Sequence, residues 1–401
     1  MKLLEALDRM HDEQQLVRDS VSITRETAIQ EAQGAKGYRR LRESGQPKGE
    51  YLRALTEVAK LITGVRKGIT PDWKLKEAMT TSDFPLLLGD LMYKQLLGNY
   101  APYPVTYPAY SAAFDLKDFK NLNLLTIDGG SSVLEKVKEE GPYPEITFTE
   151  ARYQLAVVKY GRRYGLSFEL FVNDDLNSMD SRPMQMAIGA RRLEEKTVTQ
   201  QFVAATGPHA SFYTVGNANI VTGNPALSIP ALQTAMTILS KQVDSDGEPI
   251  MIDMFTLVVG PALSITAQNM LNGLQIRLHE AGGATNTELI ALNWMKAKFE
   301  LKVNPYLPIV CTASGIKDTQ WYLFANPSNG QRPALAHGFL RGHRNPQMYM
   351  KDSDQILIGG GPSGIMEGNF GNDGIDYKIR HFFGAIRVDP KMTVASEGDG
   401  T

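Results

Sequence analysis

The period of apolar and polar positions changes several times along the chain, and each change marks an element. Over 166–206 a strand-like pattern passes through Asn173-Asp174-Asp175-Leu176 and becomes helical, with no breaker until Gly207-Pro208. Ser181 or Asp180 can cap that helix, and Pro183 suits its first turn. At 1.5 Å per residue the predicted helix, 181–206, is a rod of roughly 40 Å, long for a globular domain. Its middle is charged (Arg191, Arg192, Glu194, Glu195, Lys196), and Met186, Ile188, Leu193, Val198 and Phe202 form no single stripe. One core serves such a helix poorly, so it is expected to be a spine touching its own domain on one side and something else on the other.

Upstream, 1–33 reads as helical and acidic, with four Lys or Arg against seven Asp or Glu. Residues 34–67 reverse the sign, with nine Lys or Arg against three Glu, and Leu52, Leu55, Val58, Ala59, Ile62 and Val65 keep helical spacing. Such an arm either touches an acidic partner or nucleic acid, or is a pair of solvated helices. Ser82-Asp83-Phe84-Pro85 starts a helix that runs to Leu97 and stops at Gly98-Asn99. The proline-rich YAPYPVTYPAY, 100–110, is expected to be extended and not a central strand. Short strands are expected in 112–128.

Residues 131–168 form a ribbon. SSVLEKVKEE is one strand, Gly141-Pro142-Tyr143-Pro144 a turn, and Ile146–Phe168 a second strand exceeding about 60 Å at ~3.3 Å per residue. Val158, Tyr160, Arg162, Tyr164, Leu166 and Phe168 share one face, and Lys159, Gly161, Arg163, Gly165 and Ser167 the other. An isolated two-stranded ribbon is marginal in water. The outer half carries Lys136, Lys138, Glu139, Glu140 and Glu150 and lacks apolar density, so it is expected to lie on another subunit. From 224 a compact α/β region follows: a helix at 227–243, a buried strand at 255–260 with a helix after it, and strands in KFELKVNPYLP, WYLFANPS, ALAHGFLRG and QILIGG. GIDYKIRHFFGAIRVDP, 374–390, is the expected last strand.

Composition narrows the function. The 401 residues are enough for two or three domains, and 42% apolar with 21% charged residues indicates a folded, soluble chain. A net charge of −2 argues against a mainly electrostatic nucleic-acid binder. The single Cys311 excludes a disulfide framework. Neither a membrane span nor a signal-peptide core is present in the pattern.

Candidate chemistry is thin. Gly359–Gly364 matches G-x-G-x-x-G after a strand, but the following IMEGNFGNDG is too rich in Gly and Asn for the helix that would receive a pyrophosphate. Asp174-Asp175 with Glu169 could be paired carboxylates, yet Asn and Asp here serve a turn and a helix start more simply. His337 and His343 lack metal-ligand spacing, and Cys311 lacks a nucleophile signature. No cofactor, metal or catalytic residue is expected.

Taken in succession, YQLAVVKYGRRYGLSFELFVNDDL, FTLVVGPAL with its helix, WYLFANPSNGQRPALAHGFLRG and GIDYKIRHFFGAIRVDP resemble the major capsid proteins of tailed double-stranded DNA phages, with the Hong Kong 97-type fold. The resemblance covers 78–390. It implies an α+β fold with a peripheral domain and spine helix, an axial domain, an extended β-hairpin loop and an N-terminal arm. The implied division is a helical arm or scaffold-like segment at 1–67, the N-arm and start of the peripheral domain at 68–130, and the extended loop at 131–160. The peripheral domain at 161–223, the axial domain at 224–345 and a return to the peripheral domain at 346–401 complete it. The implied function is structural and not enzymatic: self-assembly as hexamers and pentamers into an icosahedral shell, in the host cytoplasm. The implied partners are the chain itself, scaffold, portal and decoration proteins, and packaged DNA contacted nonspecifically, with no membrane.

Lys136, Lys138, Glu139, Glu140 and Glu150 become expected inter-subunit contacts, and Lys36, Arg39, Arg40, Arg42 and Arg53 an inner-face basic arm that is retained. Some family members weld subunits by a Lys–Asn isopeptide bond assisted by a Glu. Here Asp373 falls near the Asn position, with Asn372 beside it, and Arg380 stands where the Glu would be, so no crosslink is expected. The alternatives are an encapsulin-like compartment shell and, from another class, a nucleotide-binding enzyme using Gly359–Gly364.

Overall fold

The computed structural model describes residues 93, 96–128, 137, 149–166, 176–243, 247–250, 252–273, 275–279, 288–327, 333–351, 370–371 and 375–400. In chain order its elements are β1 (Ser111–Leu116), β2 (Leu122–Asp128), β3 (Thr149–Leu155), β4 (Val158–Leu166), α1 (Leu176–Phe202), β5 (Val203–Ala204), β6 (Gly207–Pro208) and α2 (Ile229–Ser240). There follow β7 (Phe255–Val259), α3 (Ser264–Asn272), β8 (Gln275–His279), β9 (Glu288–Leu292), α4 (Met295–Lys298), β10 (Phe299–Val303), α5 (Leu307–Val310), β11 (Trp321–Ala325), β12 (Leu335–Leu340), β13 (Gln347–Met350), β14 (Ile375–Arg387) and β15 (Thr393–Ser396). The fold is mixed α+β. It divides into two compact units: the first lies within Met1–Tyr103, Lys159–Arg191 and Arg341–Phe382, the second within Pro104–Val158, Arg192–Leu340 and Phe383–Thr401. Both α1 and β14 run from one unit into the other.

The second unit is built on a sheet ordered β10-β7-β11-β15. Every residue of β7 and β11 is buried, so these strands read as continuous apolar runs and not as alternation. Phe255, Leu257, Val259, Trp321, Leu323 and Val394 join Leu232, Ala235 and Leu239 of α2 and Ala267 and Leu271 of α3 in one core. The opposite residues meet aromatic rings: Phe324 stacks on Tyr110 at 5.0 Å, and Phe202 packs edge-on against Tyr322 at 4.9 Å and Phe324 at 5.2 Å. Each such ring pair adds about 0.5–1.5 kcal/mol beyond its burial. Helix α2 starts where the sequence provides a cap, with the Ser228 hydroxyl accepting from Ala231 N at 3.3 Å and Pro230 in the first turn.

A second layer of this unit pairs β1 parallel with β12, and β12 antiparallel with the end of β14. Gly338 and Gly384 lie directly opposite each other in that pairing. Together they form a notch: a Cβ on Gly384 would overlap the Ala156 carbonyl oxygen, and one on Gly338 would sit 2.5 Å from Leu116 Cδ1 and 3.0 Å from Leu155 Cδ2. The notch holds 155–156 against the sheet. Within 149–166, the described part of the expected strand, there are two strands: β3 pairs with β2, the chain passes the notch, and β4 then pairs with β14.

In the first unit, β4 and β13 both pair with the start of β14. Ile379 and Met348 pack with Leu96, Tyr100, Ala187 and Ala190, which brings α1 and the helical stretch 96–100 onto one face of the sheet. Gly161 allows close packing of β4, since a Cβ there would lie 2.7 Å from the Ile379 carbonyl oxygen.

Several expectations are corrected. The long helix is Leu176–Phe202, not 181–206; Pro183 lies inside it, and after Phe202 the chain turns back through the β5–β6 pair. The helix does have a single buried stripe, carrying Pro183, Ala187, Ala190, Glu194, Val198 and Phe202 at spacings of three and four. It is missed in the sequence because small and charged residues occupy it. Residues 100–110 are not extended: Tyr107–Ala109 is a 3-10 turn with Pro108 at its start, because a proline φ suits that turn as well as a strand. Strand β14 is not the last; β15 follows and pairs with β11 in the sheet of the second unit.

Candidate functional site

A dense polar cluster lies in the second unit, where the 3-10 turn meets the C-terminal half of α1. Glu194 and Glu195 are buried there, at 0% and 3% exposure. Glu195 Oε2 accepts from Thr106 N at 2.8 Å and Tyr107 N at 3.4 Å, and its Oε1 accepts from the Thr106 hydroxyl and from Tyr110 Oη. Tyr107 Oη donates to Glu194 Oε2 at 2.9 Å. Asn304, just after β10, donates to Tyr110 Oη at 3.2 Å and Thr199 Oγ1 at 2.9 Å. Burial pushes the Glu195 carboxyl above its ordinary value, while the hydrogen bonds from Thr106, Tyr107 and Tyr110 oppose that rise. Tyr110 is raised by its own burial and then by the charge of Glu195.

At the other end of the turn, Ser111 Oγ lies 2.7 Å from His337 Nδ1. This resembles a nucleophile–base pair, but proton accounting argues otherwise. A hydroxyl carries one proton, and Ser111 donates it to the Tyr107 carbonyl at 2.8 Å. His337 must then donate from Nδ1 to Ser111, so its ring cannot draw a proton from that oxygen. Tyr107 packs edge-on against His337 at 4.8 Å, and His337 is buried. The cluster therefore fastens 106–111 to α1, β10 and β12.

The other expected chemistry resolves as follows. Cys311 is buried, and burial pushes its thiol up, away from a reactive thiolate. His343 Nδ1 lies 2.7 Å from Gln347 Nε2, beside the Phe382 ring. No metal-holding group of His, Cys, Asp and Glu occurs among the described residues, and no described helix is long and apolar enough to cross a membrane. Arg380 donates from Nε to Gln347 Oε1 at 2.9 Å and from Nη2 to Tyr349 Oη, and its guanidinium lies 4.5 Å from the Tyr349 ring centre. Glu169, Asp174, Asp175, Gly359–Gly364, Asn372 and Asp373 lie outside the described residues, as do Lys36, Arg39, Arg40, Arg42, Arg53, Lys136, Lys138, Glu139 and Glu140. Of the expected contact residues only Glu150 is placed, opposite Ile127 in the β2–β3 ladder.

Two features went unread in the sequence. One is the burial of Glu194 and Glu195; Glu194 falls on the 187–190–194–198 stripe, and Glu195 lies next to it. The other is Arg191 in the first unit, which donates to the Tyr100 carbonyl at 3.0 Å and lies 3.8 Å from the Tyr100 ring centre.

Residues 152–396 match the phage capsid protein family. The chain belongs to that family, and its role is that of a structural protein of the phage capsid. Among solved structures it is similar to the capsid of cyanophage Pam1, with 12% identity over 76% of this chain and 93% of that one at a TM-score of 0.43. The Mycobacterium phage Bobi structure shows 12% identity over 75% and 89% at 0.38. A virus-like particle from Pyrococcus furiosus shows 12% over 77% and 98% at 0.36. No curated protein sequence matches the chain.

Proposed function

We propose that many copies of this chain assemble as hexamers and pentamers into the icosahedral head of a tailed phage, in the Hong Kong 97 manner, around double-stranded DNA. The observation that carries this is the family match over 152–396. Large apolar side chains left in water on the single chain accord with it: Val215 is 89% exposed, Phe370 84% and Ile265 70%. In this arrangement 224–345 lies at ring centres, 131–160 overlaps a neighbouring subunit, and 68–110 reaches another. The basic stretch with Lys36, Arg39, Arg40, Arg42 and Arg53 faces inward on a retained arm and meets DNA phosphates nonspecifically.

Assembly takes place in the host cytoplasm with scaffold, portal and decoration proteins as partners. Subunits are not welded covalently through Lys136 or Lys138. A guanidinium cannot take up a lysine proton, and Arg380 is engaged with Gln347 and Tyr349.

The test is negative-stain microscopy of particles from infected cells, with absorbance read at 260 and 280 nm. Closed shells rich in nucleic acid are expected. Shells that hold protein cargo and no nucleic acid would replace a phage head with an encapsulin-like compartment. Denaturing electrophoresis of mature particles should give a single band at the chain mass of 44.3 kDa; a ladder of multiples would overturn the absence of crosslinks.

A further inference from the structure

On the side of the first unit's sheet that α1 covers, two tyrosine hydroxyls have no hydrogen-bond partner among the described residues. Residues alternate between the two faces of a strand. Ile379 of β14 and Met348 of β13 pack with Ala187 and Ala190 of α1, so Tyr377, two positions before Ile379, turns to the same face. Tyr164 of β4 stacks on it, with ring centres 5.2 Å apart and planes 13° apart. Both rings stand off neighbouring strands toward α1, so their hydroxyls reach in the same direction. Tyr377 is 1% exposed, and the hydroxyl oxygens of both tyrosines are buried. A dehydrated donor left unsatisfied is costly, and in a native fold it calls for an explanation.

Arg182 of α1 completes the group. Its guanidinium lies 5.7 Å from the Tyr164 ring centre. Burial pushes the Tyr164 hydroxyl up, the neighbouring Tyr377 raises it further, and the Arg182 charge opposes both, so the three polar ends sense one another. Burial pushes Tyr377 up as well. Both phenols therefore keep their protons at neutral pH and act as uncharged donors. The ion pairs among the described residues join other partners, and none involves Arg182. The charged residues beside the tyrosines face the other way. Arg163 Nε lies 3.9 Å from Asp376 Oδ1 on the outer face, where Lys378 and Arg380 lean on the Tyr349 ring at 5.4 and 4.5 Å.

The chemistry of the group selects its ligand. It offers two O–H donors and one fixed positive charge, with no acceptor beyond the phenol oxygens themselves. Arg182 repels a cation. A water that accepted from both hydroxyls would still have two protons of its own to place. An anion needs donors only, and its removal from water is offset where it is paired and hydrogen-bonded. The hydroxyls are enclosed, so the ion that reaches them is small and monovalent.

We propose that Tyr164, Tyr377 and Arg182 bind one small monovalent anion of the halide class between the sheet and α1. The ion ties β4 and β14 to the N-terminal half of α1 within a single subunit, so the site needs no second copy and does not depend on assembly.

The test compares the purified full-length chain with Y164F/Y377F in chloride and in gluconate, an anion too large for the site, at equal ionic strength. In gluconate the variant should melt no lower than the parent, because two unsatisfied donors are gone. Chloride should raise the melting temperature of the parent relative to the variant, with the rise complete by roughly 0.1 M. Arg182→Gln should raise the chloride concentration needed about tenfold, and Arg182→Lys, which keeps the charge, should recover most of that loss. In crystals of the wild-type chain grown from bromide, anomalous scattering should place one bromide within hydrogen-bond reach of both hydroxyls. An equal chloride response of parent and variant, or a variant less stable than the parent in gluconate, would overturn the site. So would density there without anomalous signal, which is a water, or a carboxylate of the chain in the same position. The bromide experiment uses the unsubstituted chain, so it decides the question even where Y164F/Y377F fails to fold.

Discussion

Glu195 accepts from four donors that all lie on 106–110, so its removal strands several groups at once. A buried polar group left unsatisfied costs ~1–3 kcal/mol. Glu195→Ala should therefore destabilise the subunit by about 3 kcal/mol or more in urea unfolding. The pH dependence follows from the direction of the shift. Burial raises the native pKa of Glu195, so the folded state holds its proton more strongly than the unfolded chain. That increment of stability is present below the unfolded carboxylate value, ~4.3, and is lost as pH rises through the raised native value. Glu195→Gln keeps an acceptor and removes the titration. Its melting temperature should fall less than that of the parent across this window. The glycine notch is a second residue-scale constraint: Gly384→Ala drives a Cβ into the Ala156 carbonyl and should leave little soluble, folded protein.

Among the elements, β15 is the least expected and the most exacting. Val394 is fully buried, and β15 pairs with β11 at the edge of the main sheet of the second unit. Val394→Asp would bury a charge without a partner and should cost more than ~3 kcal/mol, read as a shift of the urea midpoint. The sequence made legible those elements whose burial is apolar and continuous, such as FTLVV and WYLFA. It concealed elements that rest on long-range partners. The stripe of α1 places the small Ala187 and Ala190 and the charged Glu194 between Pro183 and the apolar Val198 and Phe202, which blurs any hydrophobic period. The break between β3 and β4 depends on glycines more than 180 residues downstream, at 338 and 384. The polar cluster was hidden for the same reason, since Tyr107 and Glu194 stand 87 positions apart.

At the scale of the whole molecule, the chain combines units that are well packed inside with surfaces that a lone subunit leaves unused. Val215 and Phe370 lie in water, and the outer face of the β4–β14–β13 sheet gathers cations. Repeated self-contact gives both a use, as membership of the phage capsid protein family leads one to expect. If charge pairs contribute to those contacts, raising the salt from about 0.15 to 1 M shortens the Debye length from roughly 8 to 3 Å. Assembly yield should then fall, while the melting temperature of the free subunit, set by apolar burial, changes little. The most direct test of the central claim is sedimentation velocity on the purified full-length chain. Closed shells or free hexamers and pentamers, with boundaries extending to megadalton mass, are the predicted result. A discrete dimer or tetramer that never assembles further, and that is stabilised by a nucleotide, would contradict it.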